Sequence, residues 1–256
     1  MKNTLINIGI FEIRWYSVLI LIAFLIGFYI VYKQKSKLNL SEKEITDMLF
    51  YLILFALIGA RIYYVIFNFD YYFKYPMDIL KVWEGGLAIH GGLIAGLTYL
   101  IYFCKSKKID ILRLTDIIVL ALPLGQAIGR WGNFFNQEAY GTITSYKYLK
   151  SIHIPNFIID GMYINHHYYH PTFLYESIWC FFIFLIILIV VLLKINKRGL
   201  CTSIYLIMYG IERFFIESMR QDSLMLFNIK IAQIVSLFMI FMGILILIYN
   251  RRKNYD

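Results

Sequence analysis

Charge is the first thing this chain has little of. Asp, Glu, Lys and Arg make up 16% of its 256 residues, against about 25% in an average soluble protein. Hydrophobic residues reach 60% and the mean hydropathy is +0.65. These values exclude an ordinary soluble domain and predict a polytopic membrane protein built as one domain, residues 1–256. Cysteine is also scarce. Cys104, Cys180 and Cys201 are scattered, without a CxxC pair, which excludes a disulfide framework. No small-residue cleavage site follows the first apolar run, and Met1–Arg14 is nearly neutral, with Lys2 and Arg14 against Glu12. The start of the chain is therefore expected to be a membrane span rather than a cleaved signal. With no cysteine near that run, the chain is not expected to be a lipoprotein itself. No internal repeat is visible. His166 and His167 have no carboxylate or cysteine at ligand spacing and read as surface-loop histidines, so no metal is expected.

Hydrophobic runs are abundant. Seven are about long enough to cross hydrocarbon: 15–32, 48–68, 86–103, 116–135, 172–193, 200–217 and 231–249. Lysines and arginines cluster after spans one, three, five and seven, at Lys33–Lys43, Lys105–Arg113, Lys194–Arg198 and Arg251–Lys253, and are sparser in the alternate loops. The positive-inside rule places the N-terminus outside and the C-terminus in the cytoplasm. It also accounts for the formal charge of +9 without a nucleic-acid partner. The expected fold is an all-α polytopic membrane protein of seven transmembrane helices. A small extracytoplasmic cap, about 137–171, is expected between spans four and five, because structureless loops beyond about 15 residues are uncommon.

One stretch organises the rest: GQAIGRWGNFFNQEAYG, Gly125–Gly141, where span four ends. On a helix Gln126, Arg130, Asn133 and Gln137 fall at i, i+4, i+7 and i+11, on one face. An arginine in hydrocarbon costs roughly 2.5–3.5 kcal/mol at a helix centre, so a protein carboxylate or an anionic ligand has to meet it. Other polar groups gather at the same outer level: Arg14 and Tyr16 at span one, His90 in span three, His170, Tyr175 and Glu176 at span five. On span six, Tyr209, Arg213, Glu217 and Arg220 share a face at i, i+4, i+8 and i+11.

Each of these has a plainer structural reading. His90, in GGLAIHGG, suits a hydrogen bond to a neighbouring helix across a close glycine contact, and the GxxxG pairs mark helix contacts. Arg213 and Glu217 have i,i+4 ion-pair spacing. Arg61 has the position of a packing or snorkelling arginine. The convergence of several spans carries more weight than any one residue. Planar arginines suit a bidentate grip on phosphate, and the abundant phosphate at an outer leaflet is a phospholipid headgroup. The residues thus describe an outward-facing, arginine-lined site for an anionic amphiphile. Catalysis, transport and passive lipid binding by a scaffold all remain open at this point.

GRWGNFFNQEAYG at 129–141 resembles the signature of the prolipoprotein diacylglyceryl transferase family. IRWYS in span one, GARIYYV at 59–65, GGLAIHGGLIAG at 85–96, HPTFLYES at 170–177 and YGIERFFIESMRQD at 209–222 are similar to further family segments, in the family's order. The resemblance covers nearly the whole chain. It implies a seven-span enzyme of the bacterial cytoplasmic membrane with its active site toward the outer face. The implied reaction moves the sn-1,2-diacylglyceryl group of phosphatidylglycerol to the lipobox cysteine thiol of a preprolipoprotein signal peptide. A thioether forms and glycerol 1-phosphate leaves. No cofactor is implied.

By the same resemblance, Arg130 and Arg213 correspond to the family's essential arginines and would hold the departing phosphate. His90 is the candidate to accept the thiol proton, since imidazole exchanges protons near neutrality; positioning lipid is its alternative role. Asn133, Glu138, Tyr16, Tyr209, Glu217 and Arg220 would orient lipid, arginines or peptide. Gly141 would lend backbone freedom to the turn that leaves the signature. Glu212 departs from the family pattern, where an apolar or small residue is more usual. It lies off the Tyr209–Arg213–Glu217 face, so little effect is expected from it.

Overall fold

The computed structural model describes residues 4–8, 11–195, 197–221, 223, 225–226 and 229–253. Lys2, and Asp222 at the end of the 209–222 segment, lie outside them. Every apolar run forms a helix. Five helices are long and apolar enough to cross a membrane: α1 (Trp15–Lys33), α2 (Glu42–Phe67), α5 (Ile111–Asn136), α8 (Thr172–Leu192) and α10 (Ile231–Lys253). Two more, α4 (Ile89–Lys107) and α9 (Leu200–Met219), cover the third and sixth expected spans. Glycines dilute the apolar composition of α4, and Glu212, Arg213 and Glu217 interrupt that of α9. Three helices of six residues complete the set: α3 (Phe69–Lys74), α6 (Tyr146–Ser151) and α7 (Asn156–Gly161). Large side chains such as Leu21, Leu25, Phe238 and Phe241 stand exposed on the long helices. Water does not solvate such surfaces well, and lipid does. The protein is a multi-pass membrane protein.

The helix ends are set by local chemistry. Helix α2 starts ahead of its apolar run because Ser41 and Glu44 form a reciprocal capping box. The third apolar stretch begins at 86, yet α4 starts only at Ile89, because Gly85 and Gly86 hold φ of +95° and +69°. Helix α5 starts at Ile111, where Asp110 Oδ1 accepts the amide hydrogens of Leu112 and Arg113 at 2.9 and 3.1 Å. Pro123 lies inside α5.

The fold is mostly helical rather than all-α. Three small antiparallel sheets are present among the described residues. Strands β1 (Thr4–Ile8) and β2 (Phe11–Arg14) pair before α1. The 137–171 connection is folded. Strands β3 (Ile143–Thr144), β4 (Tyr163–Ile164) and β5 (His167–Tyr169) form a sheet in the order β3-β5-β4 beside α6 and α7. Its core joins Leu149, Ile158, Ile159 and Met162 to Phe134 of α5 and Phe173 of α8. Strands β6 (Met225–Leu226) and β7 (Ile229–Lys230) pair before α10.

The chain divides into two compact units, Met1–Val31 with Thr115–Asp256, and Tyr32–Leu114. In the larger unit the Asp116 carboxylate of α5 accepts from Gly199 N at 2.6 Å, Thr202 N at 2.8 Å and Thr202 Oγ1 at 2.7 Å, capping α9. Helices α9 and α10 approach closely at Gly210, where a Cβ would stand 2.8 Å from Ser236 O. In the smaller unit α2 and α4 meet at Gly59 and Gly91. A Cβ on Gly91 would stand 2.3 Å from Gly59 O, so only glycine allows this approach.

Candidate active site

Within the larger unit, α5, α8 and α9 each send one or two charged side chains to a common point. Arg130 Nη2 of α5 lies 2.5 Å from Glu176 Oε2 of α8. Arg213 Nη1 of α9 lies 3.6 Å from the same oxygen, and Arg213 Nη2 lies 2.7 Å from Glu217 Oε2 one turn along. The result is an alternating row, Arg130–Glu176–Arg213–Glu217. Glu176 is 1% exposed and Glu217 3%, whereas the arginine side chains keep 20% and 18%. The carboxylates are thus sealed more deeply than the arginine side chains. A carboxylate this deep is stable only when paired, and Glu176 is shared by two cations.

The plain i,i+4 reading of Arg213 and Glu217 is correct, yet incomplete, because Glu176 bridges the pair to Arg130. The sequence sets Glu176 among the polar groups that gather near the arginines without showing which arginine it meets. Its signal is the arginine in an apolar span, which either a protein carboxylate or an anionic ligand has to meet. Arg213 Nη1 is buried and makes no hydrogen bond to a described residue, since 3.6 Å exceeds hydrogen-bond reach.

Glu212 adds a burial that helical spacing alone does not show. It is one residue before Arg213 and off the expected face, but that position is interior. It is 6% exposed, both carboxylate oxygens are buried, and neither finds a hydrogen-bond donor among the described residues. It is within electrostatic range of Glu176, Arg130 and Arg213.

The signature residues are held by several neighbours rather than by one face. Gln126 Oε1 accepts from Tyr205 OH at 3.2 Å, and Gln137 Nε2 donates to Gly161 O at 3.0 Å. Asn133 Nδ2 donates to Glu138 Oε1 at 2.8 Å, and Asn136 Nδ2 to the same oxygen at 3.3 Å. Asn133 and Glu138 therefore hold the exit of α5 together. Gly141 does not supply the expected backbone freedom. The positive φ values belong to Gln137 (+51°) and Ala139 (+55°). Gly141 is needed for closeness, since a Cβ there would stand 2.8 Å from His170 Cβ. Its amide donates to His170 O at 3.0 Å, which binds the signature to the entry of α8. Trp131 Nε1 donates to Ser177 Oγ at 3.2 Å and Ser177 Oγ to Ala127 O at 2.8 Å, fastening α5 to α8 below that point.

Tyr16 packs its ring on the signature helix, where a Cβ on Gly132 would stand 2.4 Å from Tyr16 Cδ2. Tyr209 stacks on Tyr205 at 5.4 Å between ring centroids, within electrostatic range of both arginines. Arg220 caps the C-terminal end of α9, and its carbonyl accepts from Lys230 Nζ at 2.9 Å. His170 Nδ1 is 3.2 Å from Tyr175 OH, and partial burial lowers the imidazole pKa from its ordinary value.

His90 belongs to the smaller unit. It sits in the first turn of α4, is exposed, and its ring centroid is 6.1 Å from that of Tyr63. Among the described residues it makes no hydrogen bond, so the helix-bridging reading does not hold. The close glycine contact belongs to the next residue, Gly91. His166 and His167 are exposed at the β4–β5 turn.

Comparison with known proteins bears on the whole chain. The family model described as prolipoprotein diacylglyceryl transferase matches residues 3–249. Proteins named phosphatidylglycerol--prolipoprotein diacylglyceryl transferase from Staphylococcus aureus strains Newman, USA300 / TCH1516 and JH9 are each 46% identical over 248 residues. The match takes in 96% of this chain and 88% of each relative. With matching motifs and an arginine–carboxylate row spread across three helices, this chain belongs to the prolipoprotein diacylglyceryl transferase family.

Proposed function

We propose that this protein transfers the diacylglyceryl group of phosphatidylglycerol to the lipobox cysteine thiol of prolipoproteins. The observation that carries the reading is the row Arg130–Glu176–Arg213–Glu217, with one buried Arg213 donor left for an anion. In this reaction the thiol sulfur attacks the glyceryl carbon that carries the phosphate ester. A carbon–sulfur bond forms, the carbon–oxygen bond breaks, and glycerol 1-phosphate takes the electron pair. The thiol proton passes to a base. Negative charge grows on the leaving oxygen, so donors fixed in advance and shielded from water lower the barrier. Arg130 and Arg213 supply those donors, and Glu176 and Glu217 hold them in place. His90 takes the thiol proton. Asn133, Glu138, Tyr16, Tyr209 and Arg220 orient lipid and peptide. The nucleophile belongs to the substrate, which agrees with the burial of all three cysteines here.

We assign seven spans, α1, α2, α4, α5, α8, α9 and α10, to one membrane domain. The charges that lower the apolar character of α9 are those of the arginine row, so they argue for a site inside the membrane rather than against a span. Loop charges support an outside N-terminus and a cytoplasmic C-terminus. With that orientation, Arg130 and Arg213 lie toward the outer face of a bacterial cytoplasmic membrane, and the folded 137–171 segment is an extracytoplasmic cap. The relatives' names give no support to a transporter. The test is incubation of purified protein with phosphatidylglycerol and a lipobox peptide. A diacylglyceryl thioether on the peptide, seen by mass, is expected. An unmodified peptide alongside lipid moved between leaflets would overturn the reading.

A further inference from the structure

Arg61 belongs to a motif that the arginine row leaves unused, and its surroundings are unusual. The side chain leaves α2 and is 7% exposed. A guanidinium has five N–H donors and no acceptor, and here every donor is directed at a main-chain carbonyl. Nε donates to Ile79 O at 2.9 Å. Nη1 donates to Gly85 O at 2.7 Å and Gly86 O at 2.9 Å. Nη2 donates to Asp78 O at 2.5 Å and Lys81 O at 3.4 Å. The guanidinium carbon also stands 5.2 Å above the Tyr72 ring.

All five carbonyls belong to the stretch 78–86, whose own backbone hydrogen bonds are turn contacts such as Lys81 N to Asp78 O at 3.1 Å and Gly85 N to Val82 O at 3.3 Å. It consists of two short 3-10 turns, Pro76–Leu80 and Val82–Glu84, followed by two glycines in left-handed conformations. A snorkelling arginine keeps its head in water; this one is enclosed and saturated, so no donor remains for a lipid phosphate. The fit is tight on the other side too, because a Cβ on Gly86 would stand 2.4 Å from Arg61 Nη1.

The segment leads directly to the candidate base. Ala88 N donates to the carbonyl of Ala60, the residue before Arg61, at 3.0 Å. Helix α4 starts at the next residue, and His90 follows in its first turn. Gly91 then contacts Gly59 backbone to backbone. One turn of α2 thereby fixes the chain on both sides of His90, with the Arg61 side chain before it and Gly59 after it.

We infer that Arg61 is a positioning residue for the transfer reaction: it fixes the 78–88 segment, and through it His90, and takes no part in gripping phosphate. The inference rests on the reading of His90 as the thiol base. Lysine is a poor substitute, since a single ammonium cannot reach five carbonyls spread over a planar fork.

The experiment compares wild type, Arg61→Gln, Arg61→Lys, His90→Gln and the Arg61→Gln/His90→Gln double variant, purified into lipid nanodiscs. In Arg61→Gln, kcat is expected to fall by about 10- to 100-fold, the scale of an angstrom-sized misplacement. KM for phosphatidylglycerol stays within about threefold, because substrate contact is unchanged. Arg61→Lys recovers little. Arg61→Gln adds no further loss on the His90→Gln background. Amide exchange across Gly85–Ala88 rises in Arg61→Gln, a readout independent of His90. Gly86→Ala, which crowds the same guanidinium from the opposite side, reproduces these effects if Arg61→Gln yields too little folded protein. A raised KM with unchanged kcat, or full rescue by lysine, overturns the inference in favour of phosphate contact. Unchanged exchange at Gly85–Ala88 overturns the clamp itself. Wild-type turnover in His90→Gln with a low kcat in Arg61→Gln overturns the His90 reading and leaves the clamp supported.

Discussion

Glu176 holds the catalytic proposal together at the level of single residues. Its carboxylate is almost fully sealed and shared between two arginines on other helices. Removing one partner of a buried pair leaves uncompensated charge, at about 3–5 kcal/mol. Glu176→Ala is therefore expected to lower the thermal midpoint far more than truncating an exposed carboxylate such as Glu138, read by thermal unfolding in detergent. Glu212 gives the opposite prediction. Its two buried oxygens find no donor among the described residues, and a buried unsatisfied polar group costs about 1–3 kcal/mol. Glu212→Met is expected to raise the midpoint while transfer activity stays within a few fold. A drop in midpoint would mean that this carboxyl is stabilising. Both residues are visible in the sequence, but their burial is not. Helical spacing reports which residues share a face. It does not report which side chain from a distant helix will arrive opposite.

At the scale of elements, five of the long helices were legible because each is an apolar run of spanning length, whereas α4 and α9 are diluted by glycines and charges. Their ends were less so. The capping box at Ser41, the left-handed glycines at 85–86 and the Asp110 cap each moved a boundary away from the apolar run. The small sheets were missed because strands of two to five residues leave no usable alternation. Arg61 shows a further limit, since its partners are carbonyls, which every residue carries and no pattern marks. Asp116 is the comparable device at the other end of the site-bearing helix, donating no charge to the site but capping α9. Asp116→Ala removes a charged acceptor from two amides and a hydroxyl. A loss of about 2 kcal/mol is expected, seen as a lower midpoint with KM for phosphatidylglycerol unchanged in the folded fraction. An unchanged midpoint would show that water caps α9 equally well.

At the scale of the whole molecule, the membrane class came from composition, and the arginine–carboxylate row came from side chains converging between helices. His170 offers a global test outside the spans. Its folded pKa is lowered by burial, so the unfolded chain takes up the proton first. Above about pH 6.5 both states are neutral there and His170 contributes no pH dependence. As pH falls below that value, stability falls until the folded pKa is passed. Wild type is expected to lose more stability than His170→Gln between pH 7.5 and 5.5; equal losses would contradict the assigned direction. The central claim is that Arg130 and Arg213 together receive the departing phosphate. Its most direct measurement is glycerol 1-phosphate release by Arg130→Ala, Arg213→Ala and the matching lysine variants, each confirmed folded. The account predicts that both alanine variants lose at least about 100-fold in turnover, the scale of losing one charge-stabilising donor, with little recovery by lysine. Near-normal release from either alanine variant would contradict it.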